Sequence, residues 1–136
     1  MIEKLAQDLW NARMFGGTLE CNAIDRLTTI TEAYRIQNAV TEKSGMVRIG
    51  WKVGATSKKA QLLLGASGPA TAPLLDGLYY RESTTVSILP SQNTSVEAEF
   101  AFRFSKGLPS RQSSYDRDEV IGSIESVMPA VEIVAC

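Results

Sequence analysis

The ten residues Ser95–Phe104, SVEAEFAFRF, constrain the fold of this chain more than any other stretch. Val96, Ala98, Phe100, Phe102 and Phe104 alternate with Glu97, Glu99, Ala101 and Arg103. Only an extended strand, with side chains pointing to opposite faces in turn, collects the apolar residues on one side. The chain is therefore at least partly β, and two carboxylates project side by side. Residues two apart in a strand are separated by about 6–7 Å at the backbone, so two long Glu side chains can converge on one cation, and Ala101 beside them leaves room for a ligand. The same pattern also describes an ordinary solvated face of an antiparallel strand.

Upstream the period changes to that of helices. Ile2, Leu5, Ala6, Leu9 and Trp10 recur at helical spacing over residues 2–14, with Gly16-Gly17 beyond them as a stop. Thr29-Ile30-Thr31-Glu32 is a capping-box pattern opening a second helix whose apolar face is Ala33, Ile36 and Val40 and which Gly45 ends. Val47, Ile49, Trp51 and Val53 then alternate with Arg48, Gly50 and Lys52, which predicts a half-buried strand with Lys52 away from the apolar face. Residues 58–64 predict a short helix capped by Thr56 or Ser57 and closed by Gly65. The segment ASGPATAP reads as a loop, and residues 74–80 and 84–89 as short strands, the second closed by Pro90. A polar loop at 106–114 leads to a predicted helix with Asp116 and Glu119 in its first turn, Val120, Ile121, Ile124, Val127 and Met128 on its buried face, and Pro129 as its end. The final AVEIVAC reads as a buried strand interrupted by Glu132. The order predicts an α+β chain of one domain over residues 1–136, helical to 45 and strand-rich with short helices from 46 to 136.

Composition then removes whole classes of chemistry. The sequence has no histidine, so it offers no Ser-His-Asp or Cys-His pair, no imidazole base and no imidazole zinc site. What remains is acid–base work by carboxylate, lysine or tyrosine, or a hard cation held by oxygen. With 14 Lys and Arg against 15 Asp and Glu, no cationic field exists to hold nucleic acid. Charges interrupt the opening residues and no long apolar run follows, so neither a signal peptide nor a membrane span is expected and a cytoplasmic location is. Cys21 and Cys136, far apart in sequence, are expected to be plain thiols.

A carboxylate within Ala130-Val131-Glu132-Ile133-Val134 is expected to be buried, and a buried charge needs a partner. Arg103 is one candidate; a divalent ion shared with Glu97 and Glu99 is the other, and spacing leaves both open. Lys52 lies on the side of its strand shared with Gly50 and near Gly54, where backbone is bare enough for a ligand to approach, although a solvated lysine is the commoner explanation. Asp76, within Leu75-Asp76-Gly77, is first of all a turn signal. Tyr79-Tyr80 and the stripe Phe100, Phe102 and Phe104 are expected in the core.

In order along the chain, AYRIQ, GWKVGATSKKAQLLLG, LLDGLYY, VEAEFAF and MPAVEIV resemble the 2-oxo-4-pentenoate hydratase and oxalocrotonate decarboxylase branch of the fumarylacetoacetate hydrolase superfamily. The resemblance implies a mixed β-roll with N-terminal helices, Mg²⁺ or Mn²⁺ held by Glu97, Glu99 and Glu132, and polar active-site positions at Lys52 and Asp76. It implies hydration of a 2-hydroxydienoic acid such as 2-hydroxypenta-2,4-dienoate to 4-hydroxy-2-oxopentanoate in aromatic-compound breakdown. Decarboxylation of a vinylogous 2-oxo diacid and hydrolysis of an acylpyruvate are its chemical neighbours, and an interaction subunit without catalysis is the alternative of another kind. GPATAP at residues 68–73 departs from the family's pattern of a proline soon followed by an aromatic and a glycine. The resemblance runs through nearly the whole chain but only through the N-terminal part of a family member, which implies half an enzyme, completed as a homo-oligomer or by a complementing chain.

Overall fold

The computed structural model describes residues 1–19, 29–88 and 93–135. Cys21, Cys136, the loop through Asp25 and the Leu89-Pro90 strand end lie outside them. The chain divides into two compact units, Met1–Val86 and Ser87–Cys136.

In the first unit, α1 (Ile2–Phe15) and α2 (Ile30–Ser44) pack together through Leu5, Ala6, Ile36 and Ala39, with Ile2, Leu9, Leu19 and Val40 against them. The ends follow local chemistry. Gly16 and Gly45 take the left-handed conformation that stops each helix, and Thr29 Oγ1 accepts the Glu32 N–H at the start of α2. A third helix, α3 (Lys58–Leu64), begins at Ser57, whose Oγ accepts the Ala60 N–H, and ends at a left-handed Gly65.

In the same unit β1 (Arg48–Gly54) pairs antiparallel with β2 (Ala70–Leu75), with a register irregularity between Arg48 and Gly50. Two expectations fail here. Ala70–Pro73 of the ASGPATAP loop are strand, and the strand expected over 74–80 stops at Leu75, giving way to a 3-10 turn at Asp76–Leu78. The ladder with β1 overrides the weak local preference of Ala, Thr and Pro. Helix α2 secures the outer side of β2 from within AYRIQ: Tyr34 Oη accepts the Thr71 N–H at 3.2 Å, and Gln37 Nε2 donates to the Thr71 carbonyl at 3.0 Å. These two side chains satisfy both polar groups of one edge residue, as a third strand would.

In the second unit, β3 (Thr94–Phe104) pairs antiparallel with β4 (Ile124–Ala135) in a long ladder that shifts register only between Arg103 and Phe104. The preceding helix α4 is only Arg117–Ile121, opened by a reciprocal capping box between Asp116 and Glu119. The predicted helix through Met128 is therefore corrected: Ile124, Val127 and Met128 are strand residues, and Pro129 lies inside β4 opposite Phe100. Proline is tolerated in a two-stranded ladder because alternate N–H groups of an edge strand point away from the partner. Ser123, fully buried, ends the helix: its Oγ donates to the Glu119 carbonyl, and its own carbonyl accepts the Ser105 N–H at 2.9 Å. Residues 84–88 form no strand.

Burial departs from the sequence expectation in both ladders. Ile49, Trp51 and Val53 are exposed, whereas Gly50, Lys52 and Gly54 are half-buried. Phe100, expected in a core, is 78% exposed, and Phe102 and Phe104 are exposed with it, as is Tyr80. Helices and antiparallel strands are both present, as an α+β chain requires. No described helix is long and apolar enough to cross a membrane.

Candidate metal centre

The β3–β4 register sets Glu97 directly opposite Glu132, and Glu99 opposite Ala130. Directly paired residues of an antiparallel ladder share a face, as do residues two apart on one strand, so all three glutamates project from the same side. One carboxylate oxygen from each comes within 4.8 Å of the others. Like charges placed directly across a ladder are unfavourable. A shared cation reverses that sign. Oxygens bound to one ion at 2.0–2.6 Å are separated by at most about 4–5 Å, so this spacing is compatible with a single hard divalent ion.

Met128, Ala130 and Glu132 on this face of β4 are half-buried, while Glu97 and Glu99 are exposed. Glu132, expected to be buried, is half-buried. Ala101, partly covered, stands opposite Met128 and puts no polar group beside Glu99. Arg103, the alternative partner, faces Ser126 four residues along β3 from Glu99, about 13 Å at the backbone.

The other two expected site residues lie in the first unit, at different ends of one ladder. Lys52 pairs with Ala72 and is half-buried on the side shared with Gly50 and Gly54. Asp76 follows the last residue of β2, and its Oδ1 accepts N–H groups from Val47 at 3.1 Å and Gly77 at 2.8 Å. Its backbone N–H donates to the Val47 carbonyl at 3.0 Å. Asp76 thus closes the β1–β2 ladder at the end away from Lys52, roughly 13–16 Å of strand from it. Tyr34 and Gln37 were not singled out from the sequence; their binding to Thr71, opposite Val53, shows in tertiary contact alone.

A strong electrostatic arrangement stands apart from these residues. The Arg111 guanidinium makes a bidentate pair with Glu119, lies 3.7 Å from the Tyr115 ring centre, and donates to the carbonyls of Ser113 and Ser114. Hydrogen bonding from Arg111, then from the Asp116 N–H, lowers the Glu119 pKa to about 2. This cluster locks the 106–116 loop onto α4.

No family model matches the chain. It is 31% identical over 108 residues to a 2-keto-4-pentenoate hydratase of Paraburkholderia xenovorans strain LB400, an alignment covering 77% of the chain and 39% of that protein. The 4-oxalocrotonate decarboxylase of Pseudomonas putida G7, solved with calcium and acetate, superimposes with a TM-score of 0.81 at 23% identity over 98% of the chain and 52% of that structure. The same enzyme solved with magnesium and adipate gives 0.75 at 20% identity, with the same coverage. The chain spans about half of that enzyme and about two-fifths of the hydratase.

Proposed function

Because the chain is homologous to the N-terminal part of the 2-keto-4-pentenoate hydratases and 4-oxalocrotonate decarboxylases of the fumarylacetoacetate hydrolase superfamily, we propose that it supplies the cation-binding part of a cytoplasmic hydratase. The observation that carries this reading is the convergence of Glu97, Glu99 and Glu132 within 4.8 Å. The substrate proposed is 2-hydroxypenta-2,4-dienoate, reacting as its 2-oxo tautomer, and the product 4-hydroxy-2-oxopentanoate. The ion is Mg²⁺ or Mn²⁺, as an all-oxygen, histidine-free donor set favours. When bound, such an ion supplies a Lewis acid that polarises a 2-oxo acid.

The chain's own residues divide the remaining work. The three glutamates hold charge at one place on a paired strand, where the ladder limits their movement. Lys52, half-buried beside two glycines, is the proposed proton carrier. Asp76 keeps its turn through Oδ1, leaving Oδ2 for a polar contact with substrate. In this reading the protein works as a homo-oligomer or together with a complementing chain.

Calorimetric titration of the chain with Mg²⁺ tests the cation site, and no binding at millimolar metal ends the reading. Loss of dienoate absorbance, with product mass, tests the reaction in the completed assembly. A gain of one water supports hydration; loss of carbon dioxide, or cleavage of an acylpyruvate alone, overturns the hydratase while keeping the chelated oxo acid. Lys52→Met is expected to abolish turnover and leave Mg²⁺ affinity unchanged.

A further inference from the structure

Ala55 is the one non-glycine residue, among those described, whose backbone takes a positive φ, at 52°. The glycines in that region, Gly16, Gly45 and Gly65, each stop a helix. Ala55 instead follows Gly54, the last residue of β1, and stands two residues before Ser57, which caps α3. The left-handed region costs an L-residue with a side chain about 5–30-fold in population, a cost that glycine escapes. Such a backbone persists only where contacts hold it. The contact here is Gln61, only 6% exposed. Its Nε2 donates to the Ala55 carbonyl at 2.9 Å, and its Oε1 accepts from Lys58 Nζ at 3.2 Å. Its own N–H and carbonyl bond the Ser57 carbonyl and the Ala66 N–H, at the two ends of α3.

We propose that Gln61 is a positioning residue for Lys52: its buried amide holds Ala55 left-handed, and that turn fixes the end of β1 on which Lys52 stands. After Lys52 only two pairs remain before the ladder stops, Val53–Thr71 and Gly54–Ala70. Beyond them the turn at Ala55 decides the direction of the backbone. The end of a two-stranded ladder opens readily. Without the Gln61 hydrogen bond the alanine backbone returns to the regions it prefers and draws that end out of register. The residues of β1 that share the Lys52 face are Gly50 and Gly54, so no side chain of its own strand buttresses it. Its placement therefore depends on the backbone, and the backbone at that end depends on Gln61. The inference deepens the proposed function and rests on it, since the position of Lys52 affects turnover only when Lys52 carries the proton.

Acylation of Lys52 by acetic anhydride, followed by peptide mass spectrometry against the exposed Lys106, reads its placement in the full chain. Gln61→Met keeps the length of the side chain and removes the donor. Losing one neutral hydrogen bond should open the end of β1 about 2–12-fold more often, and Lys52 acylation should rise by that factor with an unchanged circular dichroism spectrum. Ala55→Val, whose branched side chain resists the left-handed region, should give the same rise with Gln61 in place, which covers the case in which Gln61→Met does not fold. Ala55→Gly alone should leave Lys52 unchanged. Added to Gln61→Met it should remove most of the rise, because glycine takes a positive φ without help. A Gln61 that merely packed α3 would not be rescued from position 55. Leu62→Ala, an exposed neighbour on α3, should change nothing. In the completed assembly Gln61→Met should lower kcat by a similar factor, with KM and Mg²⁺ affinity unchanged, and Ala55→Gly should restore it. No rise in Gln61→Met or in Ala55→Val, no rescue by Ala55→Gly, an equal rise in Leu62→Ala, or a loss confined to KM overturns the proposal. The two readings fail separately: the acylation and rescue pattern with a fully active Lys52→Met rejects only the proton carrier, and absence of that pattern with an inactive Lys52→Met rejects only the role of Gln61.

Discussion

Replacing Glu99 by glutamine is expected to move two measurable quantities in opposite directions. In the metal-free chain, Glu97, Glu99 and Glu132 present carboxylate oxygens within 4.8 Å of one another. Two unit charges at that distance repel by about 0.9 kcal/mol in a medium like bulk water, the appropriate choice beside two exposed side chains. Screening at physiological ionic strength, with a Debye length of about 8 Å, brings this to about 0.5 kcal/mol per pair. Glu99→Gln removes two of the three pairs, so the metal-free β3–β4 ladder should gain about 1 kcal/mol. Its amides should exchange with deuterium about fivefold more slowly in EDTA, and the gain should fade in 1 M salt. Metal binding responds the other way. A divalent ion about 2.4 Å from a carboxylate oxygen is attracted by about 3.5 kcal/mol even at the dielectric of water, and dehydration of both groups returns part of that. Loss of the charge, with the amide oxygen kept as a donor, should weaken Mg²⁺ binding on the order of 100-fold by calorimetry. Unchanged Mg²⁺ affinity, or a metal-free ladder that exchanges faster in the variant, refutes the reasoning.

Asp76→Ala removes the acceptor for the Val47 and Gly77 N–H groups, and should destabilise that end of the β1–β2 ladder by about 1–3 kcal/mol, seen as faster exchange at Val47 and Arg48; unchanged protection there contradicts the turn-closing role. Ile36→Ala, in the contact between α1 and α2 and only 4% exposed, should cost about 2–4 kcal/mol in urea unfolding, and a loss below about 1 kcal/mol is inconsistent with that packing. Glu119 has its folded pKa lowered from 4.5 to about 2, so its support for α4 is complete above its unfolded pKa and disappears as pH falls through the interval from about 4.5 to 2. Its carboxyl resonance should titrate near 2 in the wild type and return toward the ordinary range in Arg111→Met; titration near 4.5 in the wild type contradicts the pairing.

The sequence alone determined whatever depends on neighbours a few residues away. Helix ends were legible because Thr29, Ser57, Gly16, Gly45 and Gly65 act on their own turn of backbone. The common face of Glu97 and Glu99 was legible because strand geometry has a period of two. Local pattern misled where pairing outweighed it. Val120, Ile124, Val127 and Met128 have helical spacing, yet a register of eleven pairs with β3 draws residues 124–135 into strand, and β2 forms from a segment that reads as a loop because β1 supplies its partners. Glu132 opposite Glu97, Thr71 held by Tyr34 and Gln37, and Ser123 joining α4 to β3 were decided only by the tertiary structure. Each joins residues more than fifteen positions apart, and no local periodicity encodes a register over that distance. Which side of each ladder is covered was likewise beyond sequence pattern. Alternation separates apolar from polar residues, but burial depends on what packs above them, and in both ladders the apolar side is left exposed.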